Sequence, residues 1–450
     1  MIRYRARWLI PVSGAPIEDG VLGVSGASIE YVGPAASAPE GEEVDFGEAI
    51  LLPGLINTHT HLELTAMRGS LEELDFPDWI NKLRASRNEI LSDAMLLDSA
   101  RHGIAEGLLA GITTYADTCA SGVALPAMLE MGVRGIMYQE VFGPAPERRV
   151  GAMEELRVRI DAAGLSSGDG SLVTLGVSPH APYTVSDDLY ADVARYAREA
   201  GLLMAVHVAE SAAECDLVCR GAGALATRLS ARGIATPVRA RSPIALLDSL
   251  GALGRETLLI HCVHVDERDL SIMAEKGCAV AHCPVSNAKL GHGVAPLTEM
   301  LAAGLAVGLG SDSVASNNRM HILEEARTAV LQQRARLRSH DAVPAAQALE
   351  LATVGGARAL RLEDRVGTLE RGKDADFAVF ELGAASLPVG DPVAAAIFSL
   401  GGAAARFVAV AGRPLVRDGR VLGVDEELTG RIAAAGRALR AWHGAATTSH

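Results

Sequence analysis

The chain alternates between two textures of apolar and polar positions. Residues 1 to about 50 break into short apolar or alternating runs near 6–12, 20–25 and 27–32, separated by glycine and proline turn signals. Residues 363–423 return to that texture, with strand-like runs at 376–381 and 406–411 and an Arg417-Asp418-Gly419 turn. Between them, apolar runs of four to eight residues recur at 50–56, 113–116, 135–141, 172–177, 202–208, 258–262, 279–282 and 306–309. Stretches of helical period, such as 186–199 and 343–351, separate many of these runs. Continuous apolar runs suit strands buried on both faces, as in a parallel sheet covered by helices. Eight of them over about 300 residues predict an α/β fold, a (β/α)8 barrel of the TIM type. A doubly wound open sheet is the rival, but no glycine-rich phosphate loop supports its usual nucleotide role. The predicted organisation is a small β-sandwich domain built from residues 1–50 and 363–425, a barrel over 51–362, and a C-terminal helix and tail over 426–450.

Composition narrows the partners. Hydrophobic residues make up 49% and charged residues 21%, which is ordinary for a folded chain. A net charge of −14 repels phosphate backbones, so nucleic acid is not an expected partner. The longest run free of Asp, Glu, Lys and Arg, residues 170–186, is broken by Pro179, His180 and Pro182, so no membrane span is expected. Six cysteines lack both zinc-finger spacing and a disulfide framework, which predicts reduced thiols and a cytoplasmic setting. A homo-oligomer is compatible with all of this.

Candidate chemistry sits at the ends of the apolar runs. His59 and His61 lie two apart at the end of the first, where side chains at i and i+2 share a face and two imidazoles suit a metal. His180 ends the fourth run, and His207, followed three residues later by Glu210, ends the fifth. His261 ends the sixth, and Asp312 follows the eighth in the glycine-rich Gly308-Leu309-Gly310-Ser311-Asp312. Each alone could be a packed or turn residue. Together they converge on the C-terminal face, where barrels carry their chemistry.

The segments PGLINTHTH, HVAE, HCVH, HCPVSNAKLGHGVAPL and GLGSDS resemble the amidohydrolase superfamily. More narrowly, they resemble its branch of metal-dependent deaminases and related hydrolases, including methylthioadenosine/S-adenosylhomocysteine, guanine and aminofutalosine deaminases and triazine hydrolases. The resemblance implies that His59, His61, His207 and Asp312 hold one divalent metal, zinc first, with iron or manganese as alternatives. Binuclear members use a carboxylated lysine on the fourth strand. No lysine lies between Lys82 and Lys276, so a single ion is expected. The resemblance further implies that His261 polarises or deprotonates water, Glu210 protonates a ring nitrogen, and Asp312 carries a proton to the leaving group. The expected substrate contacts are His180, Glu210, Trp79, Arg87, Glu89 and His282. Adenosine-type relatives carry an acidic ribose-binding residue about 27 positions past the second histidine; here Asn88 stands there, with Glu89 beside it. Arg84 and Arg87 would give a carboxylate on the substrate a partner. The implied reaction is hydrolytic deamination of a 6-aminopurine nucleoside derivative: aminofutalosine-like first, then methylthioadenosine or S-adenosylhomocysteine. The alternative is a hydrolase of the same superfamily acting on guanine, a pterin, a triazine or another heteroaromatic C–N or C–Cl bond.

Overall fold

The computed structural model describes residues 1–164 and 171–447. Eight parallel strands form one sheet in chain order: Leu55–Thr60, Ile112–Cys119, Arg134–Val141, Val173–Pro179, Leu203–Val208, Thr257–His261, Ala279–His282 and Ala306–Leu309. A parallel bridge between Thr60 and Asp312 joins the last strand's exit to the first, closing the barrel. Ile56, Ala116, Ile136, Ala205, Ile260 and Ala281 pack in its lumen, while their strand neighbours face the helices. Both faces are therefore apolar, as the uninterrupted runs require.

The run at 50–56 divides between two sheets. Ala49–Pro53 pairs antiparallel with Phe377–Glu381, and Leu55 begins the barrel. Proline and glycine make the break. A Cβ at Gly54 would lie 2.1 Å from Thr113 Oγ1, so only glycine lets the chain cross to the barrel there. The pairing of Ala49–Pro53 with Phe377–Glu381 joins the two chain ends into one nine-stranded mixed sheet. Tyr4, Phe46, Phe377 and Phe407 form its aromatic core, with ring centroids 4.8–6.3 Å apart. The first strand runs Ile2–Leu9, earlier than the apolar pattern suggested. Arg3, Arg5 and Arg7 alternate out of it and pair with Glu43, Asp19 and Glu18.

One buried ion pair fastens barrel to sheet. Arg134, 1% exposed at the start of the third barrel strand, donates from Nε and Nη2 to Asp376 at 2.8 and 3.0 Å, and from Nη2 to Asp374 at 2.8 Å. Arg134→Ala leaves the Asp376 carboxylate buried without its cation, so the unfolding free energy should fall by about 3–5 kcal/mol. Chemical denaturation measures it; a loss below about 1 kcal/mol would mean that the pair contributes only surface-level energy.

Candidate active site

The strand ends bring His59, His61, His207 and Asp312 together at the C-terminal mouth as two overlapping triads, His59–His61–His207 and His59–His261–Asp312, each with its ligand atoms within 4.8 Å of one another. His61 Nε2 lies 3.2 Å from His207 Nε2, and His59 Nε2 lies 3.2 Å from Asp312 Oδ1. His61 Nε2 is 3.8 Å from the same oxygen. Room for this is made just past the eighth strand: a Cβ at Gly310 would come within 2.9 Å of the His59 Cβ. His207 Nδ1 lies 3.2 Å from the His180 carbonyl and donates to it, leaving the Nε2 lone pair to face inward. Asp312 Oδ2 accepts from Ser286 and Ser316, while Oδ1 faces the imidazoles. Burial holds His59 down to about 4 and His207 well below its ordinary value, so both rings are neutral. Burial alone would raise Asp312, but its hydrogen bond with His59 and the surrounding imidazoles outweigh it and hold the carboxyl well below its usual range. Two nitrogens on one tetrahedral ion at about 2.1 Å would sit roughly 3.4 Å apart, close to the observed spacing. Three neutral nitrogens and a carboxylate oxygen fit a divalent cation.

Glu210 and His261 stand beside this set. Their Oε1 and Nε2 are 3.6 Å apart, and His261 Nδ1 lies 2.9 Å from Asn287 Oδ1. That amide oxygen can only accept, so His261 carries its proton on Nδ1 and turns an Nε2 lone pair to the mouth. Burial would raise the Glu210 carboxyl, but the His261 and His292 rings outweigh it and hold it below the usual range. The Tyr183 hydroxyl is 3.3 Å from Glu210 Oε2. Backbone geometry aims these groups. Ala209, His261 and Asp312 adopt φ of 51°, 74° and 57°, left-handed values that non-glycine residues resist. Glu214, fully buried, accepts from the amides of Ala209 and Glu210 at 2.8 and 3.0 Å and so holds the turn that carries Glu210.

A cavity of about 500 Å³ opens above these residues. The helix Phe76–Ile90, capped by Asp75 and started by Pro77, roofs it. Its inward face carries Phe76, Trp79, Leu83, Arg84 and Arg87 at helical spacing. Trp79 is 9% exposed and lines the wall, as does His180. Arg87 reaches the cavity but is held by Glu63, with Nε and Nη2 at 3.1 and 2.9 Å from Oε1. Arg84, Arg148 and Arg232 also line the mouth.

Two expected substrate contacts are not brought to the cavity. Glu89 accepts from Trp442 Nε1 at 2.8 Å, toward the C-terminal helix Leu428–Thr447. His282 is fully buried on the same side of its strand as Val280, in the layer between barrel and helices. Three groups at the site escaped the sequence reading: Glu140, Tyr183 and His292. His292 Nε2 lies 3.4 Å from Glu210 Oε1. Glu140 had a signal, a lone acidic residue closing an apolar strand, and His292 lies within the segment HCPVSNAKLGHGVAPL that carries the resemblance; Tyr183 sits in a loop with none.

Comparison with known proteins agrees with this geometry. The model of the amidohydrolase family matches residues 50–415. A 5-methylthioadenosine/S-adenosylhomocysteine deaminase of Moorella thermoacetica is 34% identical over 93% of this chain and 95% of its own. A 5′-deoxyadenosine deaminase of Methanopyrus kandleri is 31% identical over 91% and 93%. Among solved structures, an adenosine deaminase of Xanthomonas campestris with bound zinc superposes with a TM-score of 0.85 at 27% identity, covering 98% of this chain and 97% of that one. An atrazine chlorohydrolase of Arthrobacter aurescens complexed with zinc gives 0.83 at 25%, covering 98% and 100%. With its barrel, its histidine–aspartate cluster and the family match over most of its length, the chain belongs to the amidohydrolase family.

Proposed function

We propose that the protein is a metal-dependent aminohydrolase that converts a 5′-substituted adenosine to the inosine-type product and ammonia. The observation that carries this is the pairing of Glu210 with His261, 3.6 Å apart beside the His59–His61–His207 cluster and Asp312 and below the cavity. The relatives' activities put methylthioadenosine, S-adenosylhomocysteine and 5′-deoxyadenosine ahead of aminofutalosine. His59, His61, His207 and Asp312 hold one ion, zinc by preference. A bound divalent metal lowers the pKa of water to about 7. Glu210, ionised in the free protein, takes a proton from the attacking water and hands it to purine N1, which makes C6 electrophilic. His261, oriented by Asn287, accepts a hydrogen bond from the same water. Asp312 carries the second proton to the amino group, which leaves as ammonia. Six unpaired cysteines, four of them buried, support a cytoplasmic setting. Among the described residues no helix is long and apolar enough to cross a membrane.

Purified protein should release ammonia from these nucleosides. Ammonia from guanine, a pterin or a triazine instead, or chloride from a chlorotriazine, would replace the nucleoside reading with the alternative that the chlorohydrolase likeness offers.

Elemental analysis should give about one metal equivalent per chain from the four-ligand site. Two reproducible equivalents would overturn the single-ion assignment. Glu210→Gln and His261→Asn should keep that metal and lower kcat by at least about 10²-fold, the scale of lost general acid–base help. Metal loss in either variant would mark that residue as a ligand rather than a proton carrier.

Because Glu63 occupies Arg87, Arg84 is the roof cation available to a charged tail. Losing a charge-assisted hydrogen bond costs about 1.5–3 kcal/mol, roughly 10- to 150-fold. Arg84→Ala should lower kcat/KM by that factor for S-adenosylhomocysteine, with its carboxylate, and little for methylthioadenosine. Arg87→Ala should lower both equally. The reverse pattern would return the tail contact to Arg87.

A further inference from the structure

Glu140 closes the third barrel strand, one residue before its end. Its side chain is 5% exposed and lines the cavity, and its Oε1 has no hydrogen-bond partner. The reaction outlined above does not use it. Facing it, at 4.0 Å, is His180 Nε2. The tautomer of His180 follows from its other nitrogen. Nδ1 is 2.8 Å from Thr184 Oγ1, and that hydroxyl spends its own hydrogen on the Ala181 carbonyl at 3.1 Å. His180 Nδ1 is therefore the donor, and Nε2 keeps its lone pair. Two acceptors thus flank one gap in the cavity wall, too far apart to bond each other. His61 Nδ1 is also 4.0 Å from Glu140 Oε1, but it lies nearer the Thr118 hydroxyl, at 3.2 Å. A buried acceptor left unpaired is costly, so Glu140 Oε1 calls for a donor from the cavity side, where His180 Nε2 also opens.

On the proposed reading of the reaction, the substrate has few donors to offer. Purine N3 and N7 only accept. N1 is served by Glu210, and the amino group departs beside Asp312. The sugar hydroxyls remain. Glu63, the other carboxylate on this wall, is taken by Arg87, and Glu89 turns away from the cavity to Trp442. We propose that Glu140 Oε1 and His180 Nε2 form an acceptor pair that binds the ribose 2′- and 3′-hydroxyls of the substrate, so that Glu140 is a specificity residue for an unmodified ribose. Two vicinal hydroxyls, each about 2.7–2.8 Å from its acceptor, can span acceptors 4.0 Å apart. The pair rests on the nucleoside reading and would give the family's common chemistry a sugar requirement.

The test compares methylthioadenosine with its 2′-deoxy and 3′-deoxy analogues on metal-loaded wild type, Glu140→Gln and Glu140→Ala. Wild type should lose roughly 10- to 150-fold in kcat/KM on whichever hydroxyl Glu140 binds. Glu140→Gln should lose a similar factor on methylthioadenosine, mainly in KM, and little more on that analogue. Its metal content should stay at the wild-type value. Equal turnover of both deoxy analogues by wild type would overturn the pair, because the gap would then hold only water. Losses that multiply between Glu140→Gln and the deoxy analogues would also overturn it. Metal loss in Glu140→Gln would mean that the carboxyl acts through His61. An absence of ammonia from every adenosine derivative would remove the nucleoside reading and the pair with it, and wild type alone would show that.

Discussion

A buried cluster of imidazoles around one carboxylate is the constraint around which the mouth of the barrel is built. The ligand atoms of His59, His61 and His207 lie within 4.8 Å of one another, those of His59, His261 and Asp312 do the same, and burial keeps His59 and His207 neutral. Acceptors in contact repel, and desolvation removes the water that would soften this. On the proposed function a divalent cation resolves the conflict, and the surroundings hold the acceptors ready for it. The His180 carbonyl fixes the His207 tautomer, and Ser286 and Ser316 occupy the far oxygen of Asp312. Such outer contacts orient metal ligands before the ion arrives.

Around this centre, buried carboxylates act as clamps on the loops. Glu214 grips the amides of Ala209 and Glu210. Glu325 accepts from the Val285 amide at 3.0 Å and from Asn317 Nδ2 at 2.5 Å. Asn317 in turn donates to the Ser311 carbonyl, next to Asp312, and Val285 opens the turn that carries Ser286 and Asn287. One carboxyl therefore ties the short helix whose Asn287 orients His261 to the loop that carries Asp312. Burial pushes both Glu214 and Glu325 up to about 8. Their backbone and amide donors offset part of that desolvation, and the positive-φ residues they support are where strain is stored.

The barrel was legible because parallel strands are apolar on both sides, so each wrote an uninterrupted run. The His59–His61 pair and the histidines closing later strands were legible because chemistry at strand ends leaves a polar residue after such a run. The division of the run at 50–56 was not, since Pro53 and Gly54 interrupt its direction but not its hydropathy. His282 shows the limit of reading by strand end: the run ends there, but side-chain parity turns the ring away from the mouth. Arg87 shows another, because its partner Glu63 lies 24 residues earlier and no local period links them. The left-handed turns at Ala209, His261 and Asp312 carry no glycine to announce them.

The account's central claim is that the four convergent acceptors hold one ion. An anomalous-difference map from a crystal of the zinc-loaded protein tests it most directly. The prediction is one peak about 2.0–2.2 Å from His59, His61, His207 and Asp312, with Glu210 and His261 outside bonding distance. A peak centred instead among Glu140, His180 and His207, the neighbouring cluster whose donor atoms also lie within 4.8 Å of one another, would contradict it.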